Sequence, residues 1–250
     1  MRKAAWCGLM ATMLLGVAIL ARGQAPAGKA EEPAPTADQI LEKYVKALGG
    51  KEAILKVTSR VARGDFEVPE QGTTGTAEVS AKAPNKSSLT LAIDGFGQIR
   101  QGTNGAIAWQ DNPQAGYREF SGPELEERKR GAEFHFSVRL RDLYPKLTVI
   151  GKQKSGERDA WVVEGDPGNG RIRRFFFDAE TGLLIRSEGE RKLPTGESVL
   201  VQTFFEEYKE YDGIKVAVTI RQVNPQFSTV IRFKEVLHNV PVDEAKFDKP

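Results

Sequence analysis

Apolar positions along the chain change period twice. Ile40, Leu41, Tyr44, Val45 and Leu48 recur at helical spacing and stop at Gly49-Gly50, while Thr36 and Gln39 form a capping-box signature ahead of them. The spacing predicts an amphipathic helix, with Ala53, Ile54 and Val57 supplying one or two turns more. After Ser59 the period falls to two: Ala62, Phe66 and Val68, then Ala77, Val79 and Ala81, then Leu89, Leu91 and Ile93. Gly72, Gly75, Pro84 and Gly95 separate these runs, which predicts a strand meander. Asn104-Gly105 is a hairpin signal leading to Ile107 and Trp109, Asn112-Pro113 turns the chain, and Tyr117 to Phe120 returns it.

A helical interruption follows. Ser121 and Glu124 read as another capping box, with Pro123 in the first turn and basic residues at 128–130. One helix or two short ones are expected up to Tyr144, broken near Gly131, with Phe136, Leu140, Leu143 and Tyr144 on one face. From Pro145 strands resume between explicit turns: Ser155-Gly156, Gly168-Asn169-Gly170, Glu180-Thr181-Gly182, Pro194-Thr195-Gly196, Asp212-Gly213 and Asn224-Pro225. Turns this short force antiparallel neighbours. Long strands, notably Ser198 to Tyr211 and Ile214 to Val223, must twist and coil. The expected fold is mainly β with helices: a strongly curved antiparallel sheet, an incomplete β-barrel, with a helical lid.

The N-terminus changes the cellular picture. Arg2 and Lys3 precede 18 residues, Ala4 to Ala21, whose only conventional polar side chain is Thr12, and Ala21-Arg22-Gly23 supplies small residues for cleavage. Residues 1–23 therefore read as a secretory signal peptide, 24–37 as a flexible linker rich in Ala, Pro and charge, and 38–250 as one domain. The alternative is an uncleaved anchor helix, since 18 residues lie at the lower edge of a bilayer span. Losing Arg2, Lys3 and Arg22 takes the formal charge from +2 to −1. A chain with 36 basic and 34 acidic residues lacks the footprint of a nucleic-acid binder. Cys7 is the only cysteine, which excludes an intrachain disulfide and a Cys-based metal site.

Chemistry is sparse. No nucleophile elbow, zinc-protease, P-loop, EF-hand or dinucleotide fingerprint is present, so no catalytic residue, metal or cofactor is expected. His135 and His238 could serve as general bases, but nothing beside either in sequence supplies a nucleophile or a second metal ligand. The run from Glu126 to Arg130 reads as a solvated helix face or a transient membrane-surface contact. What remains is an apolar inventory for a curved sheet: Phe66, Trp109, Phe134, Phe136, Leu140, Trp161, Phe175, Phe177 and Phe204 are the candidates to line a hydrophobic cavity, against the alternative that they fill a core. Phe175-Phe176-Phe177 places bulk on both strand faces, so one face could pack on a helix while the other lines a cavity.

Several short motifs resemble the LolA/LolB-like periplasmic lipoprotein-carrier superfamily, with its mycobacterial lipid-binding relatives. Ala83-Pro84-Asn85-Lys86 resembles the family's strand-opening Pro segment, and Asn104 to Trp109 its Asp-Gly-Lys-Thr-x-Trp hairpin. Phe177 to Leu183 is similar to the family's Asp-x-x-Thr-Gly-Leu turn, and Ala245 to Pro250 to its Phe-containing ending. Where the family has Arg before that Pro this chain has Ala83, and Lys82 should face the other side of the sheet. The resemblance implies an incomplete barrel with helices over an apolar cavity. It also implies an exported, periplasmic, non-catalytic carrier whose partner is a hydrophobic small molecule, lipid or acylated lipoprotein. The alternatives are a structural or protein-interaction envelope module with a filled core, and a hydrolase centred on His135 or His238.

Overall fold

A computed structural model describes residues 33–192 and 196–250. The expected signal peptide, residues 24–32 of the linker and Pro194-Thr195 of one turn lie outside the described residues. The domain opens with helices α1 (Ala37–Ala47) and α2 (Lys51–Lys56). Both halves of the expected capping box form at α1: Thr36 Oγ1 accepts from Gln39 N, and Gln39 Oε1 accepts from Thr36 N. These bonds satisfy two donors that a helix start otherwise leaves open. Ile40, Leu41 and Tyr44 on one face are buried.

Six strands follow: β1 (Ser59–Val68), β2 (Thr73–Lys82), β3 (Lys86–Ile93), β4 (Gly97–Thr103), β5 (Ala108–Asn112) and β6 (Gly116–Glu119). The β4–β5 turn is organised by Asn104, whose Oδ1 accepts from Ala106 N and Ile107 N. Helices α3 (Gly122–Gly131) and α4 (Phe136–Leu143) interrupt the strands, with the expected break between them. The capping box expected at Ser121 does not form. Pro123 occupies the second helical position and has no N–H to offer, and Glu124 pairs instead with Arg118 at 3.2 Å.

The second meander comprises β7 (Lys146–Ser155), β8 (Arg158–Asp166), β9 (Arg173–Asp178), β10 (Leu184–Lys192), β11 (Ser198–Tyr211), β12 (Ile214–Val223) and β13 (Ser228–His238). Among the described residues all thirteen strands form one antiparallel sheet, in the order β6-β5-β4-β3-β2-β1-β13-β12-β11-β10-β9-β8-β7, open at both edges. Two sequence-local meanders are thus joined at one non-local seam, β1 against β13. The Asp178–Leu183 turn is built as its sequence suggests, with Asp178 Oδ1 accepting from Glu180 N and Thr181 N. Lys43 Nζ donates to Ala179 O and fastens the turn to α1.

The main core lies where α1, α2 and α4 cover one sheet face. Leu140, Val163, Phe175 and Phe177 are its most buried members, and Phe175 packs edge-on to Tyr144 with ring centres 5.1 Å apart. Arg141 of α4 pairs with Asp38 of α1 and ties the covering helices together.

The segment after β13 runs back across the first meander. A short 3-10 turn, Glu244–Lys246, places Glu244 between Lys82 and Lys86 and Lys246 against Glu78. The two lysines pull the Glu244 carboxyl from 4.5 to about 2. A depressed carboxylate adds stability above its unfolded pKa and loses it as pH falls. Acidification from about pH 4.5 towards 2 is therefore expected to lower the denaturation midpoint more in the native chain than in Glu244→Gln. Parallel midpoint curves in acid titrations would refute the contribution.

Candidate functional site

The sheet register lays an apolar rung across six strands: Phe205, Ile220, Ile231, Phe66, Gly75 and Ile93 are successive partners from β11 to β3. Strand alternation puts this whole row on one face. Helices cover only part of that face. Beside them lies a cleft of about 280 Å³ whose walls include Ala62, Phe134, Phe136, Phe205, Ile220 and Phe233.

Two cationic side chains, Arg60 and Lys215, border this cleft, and Arg60 is the more buried of them. Arg60 donates from Nε to His238 Nε2 at 3.1 Å, and His238 Nδ1 lies 3.2 Å from Asp212 Oδ2. Burial, with Arg60 adding to it, holds the His238 imidazole below its usual pKa against the pull of Asp212. The ring is therefore neutral near pH 7, with Nδ1–H donating to Asp212 and Nε2 accepting from Arg60. Burial also raises the Tyr44 phenol well above its ordinary value, with the nearby Arg60 opposing the shift.

A second cavity, about 490 Å³, opens where α3 spans the curled sheet. Leu89, Gln101 and Trp109 come from the first meander and Arg173 and Arg191 from the second, so strands far apart in sheet order face one another across it. Val79 borders both this cavity and the apolar cleft. Five cationic side chains, Arg128, Arg171, Arg173, Arg191 and Lys192, share the wall with two carboxylates, Glu124 and Glu127. Glu127 is held by Arg171 at 2.7 Å and Arg173 at 3.3 Å, and Glu124 by Arg118. Arg128 lies 4.4 Å from the centre of the Phe120 ring and donates to Gln101 Oε1, while Arg191 donates to Gln222 Oε1. Neither has a carboxylate partner among the described residues. Partial desolvation, then the neighbouring Arg191, holds Arg128 below the usual arginine value. Desolvation also lowers Arg191, with Glu127 opposing and Arg173 reinforcing the shift.

The residues expected to line one cavity distribute among five environments. Phe134 and Phe136 border the apolar cleft, and Trp109 borders the arginine-rich cavity. Leu140, Phe175 and Phe177 fill the helix-covered core, with Trp161 packed against it. Phe66 lies on the apolar rung but packs into a second cluster with Val68, Ala77, Leu91 and Phe227. Phe204 corrects the expectation outright: it pairs with Arg186 and Arg221 on the opposite face, and Arg221 lies 4.0 Å from its ring centre. Its neighbour Phe205 reaches the cleft instead, because successive strand residues face opposite ways. On the outward face of Phe175-Phe176-Phe177, Arg186 covers the Phe176 ring at 3.7 Å.

Two other readings change with the geometry. The run from Glu126 to Arg130 is not uniformly solvated: Glu126 is exposed and pairs with Lys129, whereas Glu127 and Arg128 turn into the cavity. The arginine cluster itself was missed, because Arg128, Arg173 and Arg191 come from α3, β9 and β10. Its one local signal is the alternation of Arg171 and Arg173. His135 donates Nε2–H to Val57 O at 2.9 Å, so that nitrogen is engaged with backbone. Among the described residues no group of three or more His, Cys, Asp or Glu side chains is arranged to hold a metal ion.

No family model matches the sequence. No curated protein matches it either. Solved structures do share the architecture. A DUF1329 family protein from Desulfovibrio piger superposes with a TM-score of 0.56 at 14% identity, covering 84% of this chain and 96% of that one. A LolA superfamily protein from Nitrosomonas europaea gives 0.56 at 13% identity, covering 86% and 99%. An outer membrane lipoprotein-sorting protein domain from Vibrio parahaemolyticus gives 0.53 at 15%, covering 83% and 97%. At these identities the likeness speaks for the fold: the open, helix-covered antiparallel sheet of this chain is similar to the architecture of these three structures, one of them a LolA superfamily protein.

Proposed function

We propose that this protein is an exported, non-catalytic carrier that holds the hydrocarbon part of a lipid or other amphiphile in the cleft between α1, α2, the start of α4 and the Phe205–Ile220 end of the apolar rung. The observation that carries the reading is the cleft itself: apolar side chains on a sheet face that the helices leave partly uncovered. Similarity to a lipoprotein-sorting domain and to a LolA superfamily protein supports it, as does the signal-peptide pattern of residues 1–23. No helix among the described residues is long and apolar enough to cross a membrane.

The energetics suit a reversible carrier. Each buried methylene contributes about 0.8 kcal/mol. Eight to ten of them give roughly 6–8 kcal/mol before ordering costs, an affinity no tighter than about micromolar. A cleft of about 280 Å³ sits at the small end of ligand pockets, around 300 Å³ and upward. Outward movement of Phe134 and Phe136 is the step that admits a longer chain.

Native mass spectrometry of the protein from its own envelope, followed by organic extraction, tests the reading. A stoichiometric amphiphile is expected, and a reproducibly empty protein would favour the interaction module with a filled core. Two variants locate the site. Ala62→Leu and Ser137→Phe each put bulk into the cleft, and at least a tenfold loss of affinity for 1-lauroylglycerol is expected while cooperative unfolding is retained. Unchanged affinity in both would place the ligand elsewhere.

A further inference from the structure

The cavity under α3 carries more positive charge than its own carboxylates neutralise. Arginines gathered for structural reasons alone end in ion pairs, as Arg171 and Arg173 do on Glu127. Arg128 and Arg191 depart from that pattern: each donates only to a neutral amide among the described residues, although both face a wall that already holds Arg173. Like charges brought together in a partly desolvated hollow repel one another, and an oxyanion between them removes the repulsion. Two guanidinium forks also match the several acceptor oxygens of a phosphate group. Lys192 adds a fifth cation, while Glu124 is turned towards Arg118.

The remaining wall mixes small polar side chains, Ser87, Ser88, Thr103 and Ser121, with an apolar set. Val79, Leu89, Phe120, Pro123 and Ala132 line the same hollow, and Val79 continues into the cleft that Phe134 and Phe136 border. A cationic cup therefore adjoins an apolar trough. The stacking of Arg128 on Phe120 and its bond to Gln101 hold that guanidinium in place without consuming its charge.

We propose that Arg128 and Arg191, with Arg173 behind them, form a head-group site for a phosphate-bearing amphiphile whose hydrocarbon chain occupies the adjoining cleft. The inference rests on the carrier reading and adds its ligand class. The shared chemistry, a phosphate oxyanion, could come from a lipid head group or from free phosphate, and the test separates the two.

Binding of 1-lauroylglycerol 3-phosphate, 1-lauroylglycerol and inorganic phosphate to the full protein would be compared by titration calorimetry. The phosphorylated lipid is expected to bind at least tenfold more tightly than its neutral counterpart, with an advantage that shrinks as salt rises. Arg128→Gln with Arg191→Gln should remove that advantage and leave 1-lauroylglycerol binding unchanged. Arg191→Gln alone, at a solvent-accessible position, should remove part of it and guards against a folding defect in the double variant. Equal affinity for both lipids, or an advantage that survives the double substitution, overturns the head-group site while leaving the carrier reading standing. Arginine-dependent binding of inorganic phosphate as tight as that of the phosphorylated lipid overturns the amphiphile assignment. Failure of both lipids to bind overturns the carrier reading and this proposal with it.

Discussion

Gly64→Val is expected to destabilise the domain by about 3 kcal/mol or more, read as a lower urea midpoint. Gly64 sits on β1 at an irregularity in its pairing with β13, opposite Phe233. A Cβ there would lie 1.9 Å from Arg232 O and 2.7 Å from Phe233 Cα, both backbone atoms of the partner strand. No rotamer change relieves a clash with backbone, so the strands must separate or slip. This pairing is also where the two meanders meet, and a one-residue slip would turn Phe66 and Ile231 off the apolar face. Gly131→Ala is the matched control. A Cβ at Gly131 meets nothing within 4 Å, and alanine there should be neutral or stabilising by up to about 1 kcal/mol. Equal midpoints for Gly64→Val and the native chain would show that the seam is not closely packed.

That seam also marks the limit of what sequence could reveal. α1 was legible because its cap, its apolar face and its glycine stop lie within fifteen residues. The hairpins were legible because Asn-Gly and Asp-Gly turns act locally, and the bounds of β11 and β12 fall where the periodicity put them. The pairing of Arg60 with His238 spans nearly the whole domain and leaves no local mark. Strand facing was lost for a related reason. Phe204-Phe205 and Phe175-Phe176-Phe177 are apolar on both faces, so alternation cannot say which ring points to the helices, and only the register with Arg186 and Ile220 decides. The aromatic cavity candidates look alike in sequence because each is large and apolar. Yet a residue lines a space only where its neighbours fail to fill it, and that depends on tertiary packing. The arginine cup is the same problem in charge: α3, β9 and β10 must be assembled before its cations share a wall.

Phe247→Ala should have the other large effect, about 3–5 kcal/mol against opening of the C-terminal segment. Phe247 has no exposed surface, although only three residues follow it in the sequence, and its carbonyl accepts from Trp109 Nε1 at 3.0 Å. The polar fastenings of the same segment are weaker anchors. Lys249 to Glu119, Asn104 to Asp248 and the lysines on Glu244 are solvent-exposed, where water competes for each partner and salt screens the charges. The apolar anchor therefore decides whether the segment stays down. Because the segment can lift without unfolding the sheet, the loss should appear first as local opening, with faster amide exchange around Trp109 and a red-shifted tryptophan emission. Trp109 also borders the arginine-rich cavity, so the same substitution should weaken binding of 1-lauroylglycerol 3-phosphate. Lys249→Ala, which removes an exposed ion pair and leaves the ring in place, should change none of these readouts. Should Phe247→Ala instead lower the global midpoint without local exchange near Trp109, the segment would be an integral part of the sheet's cooperative core.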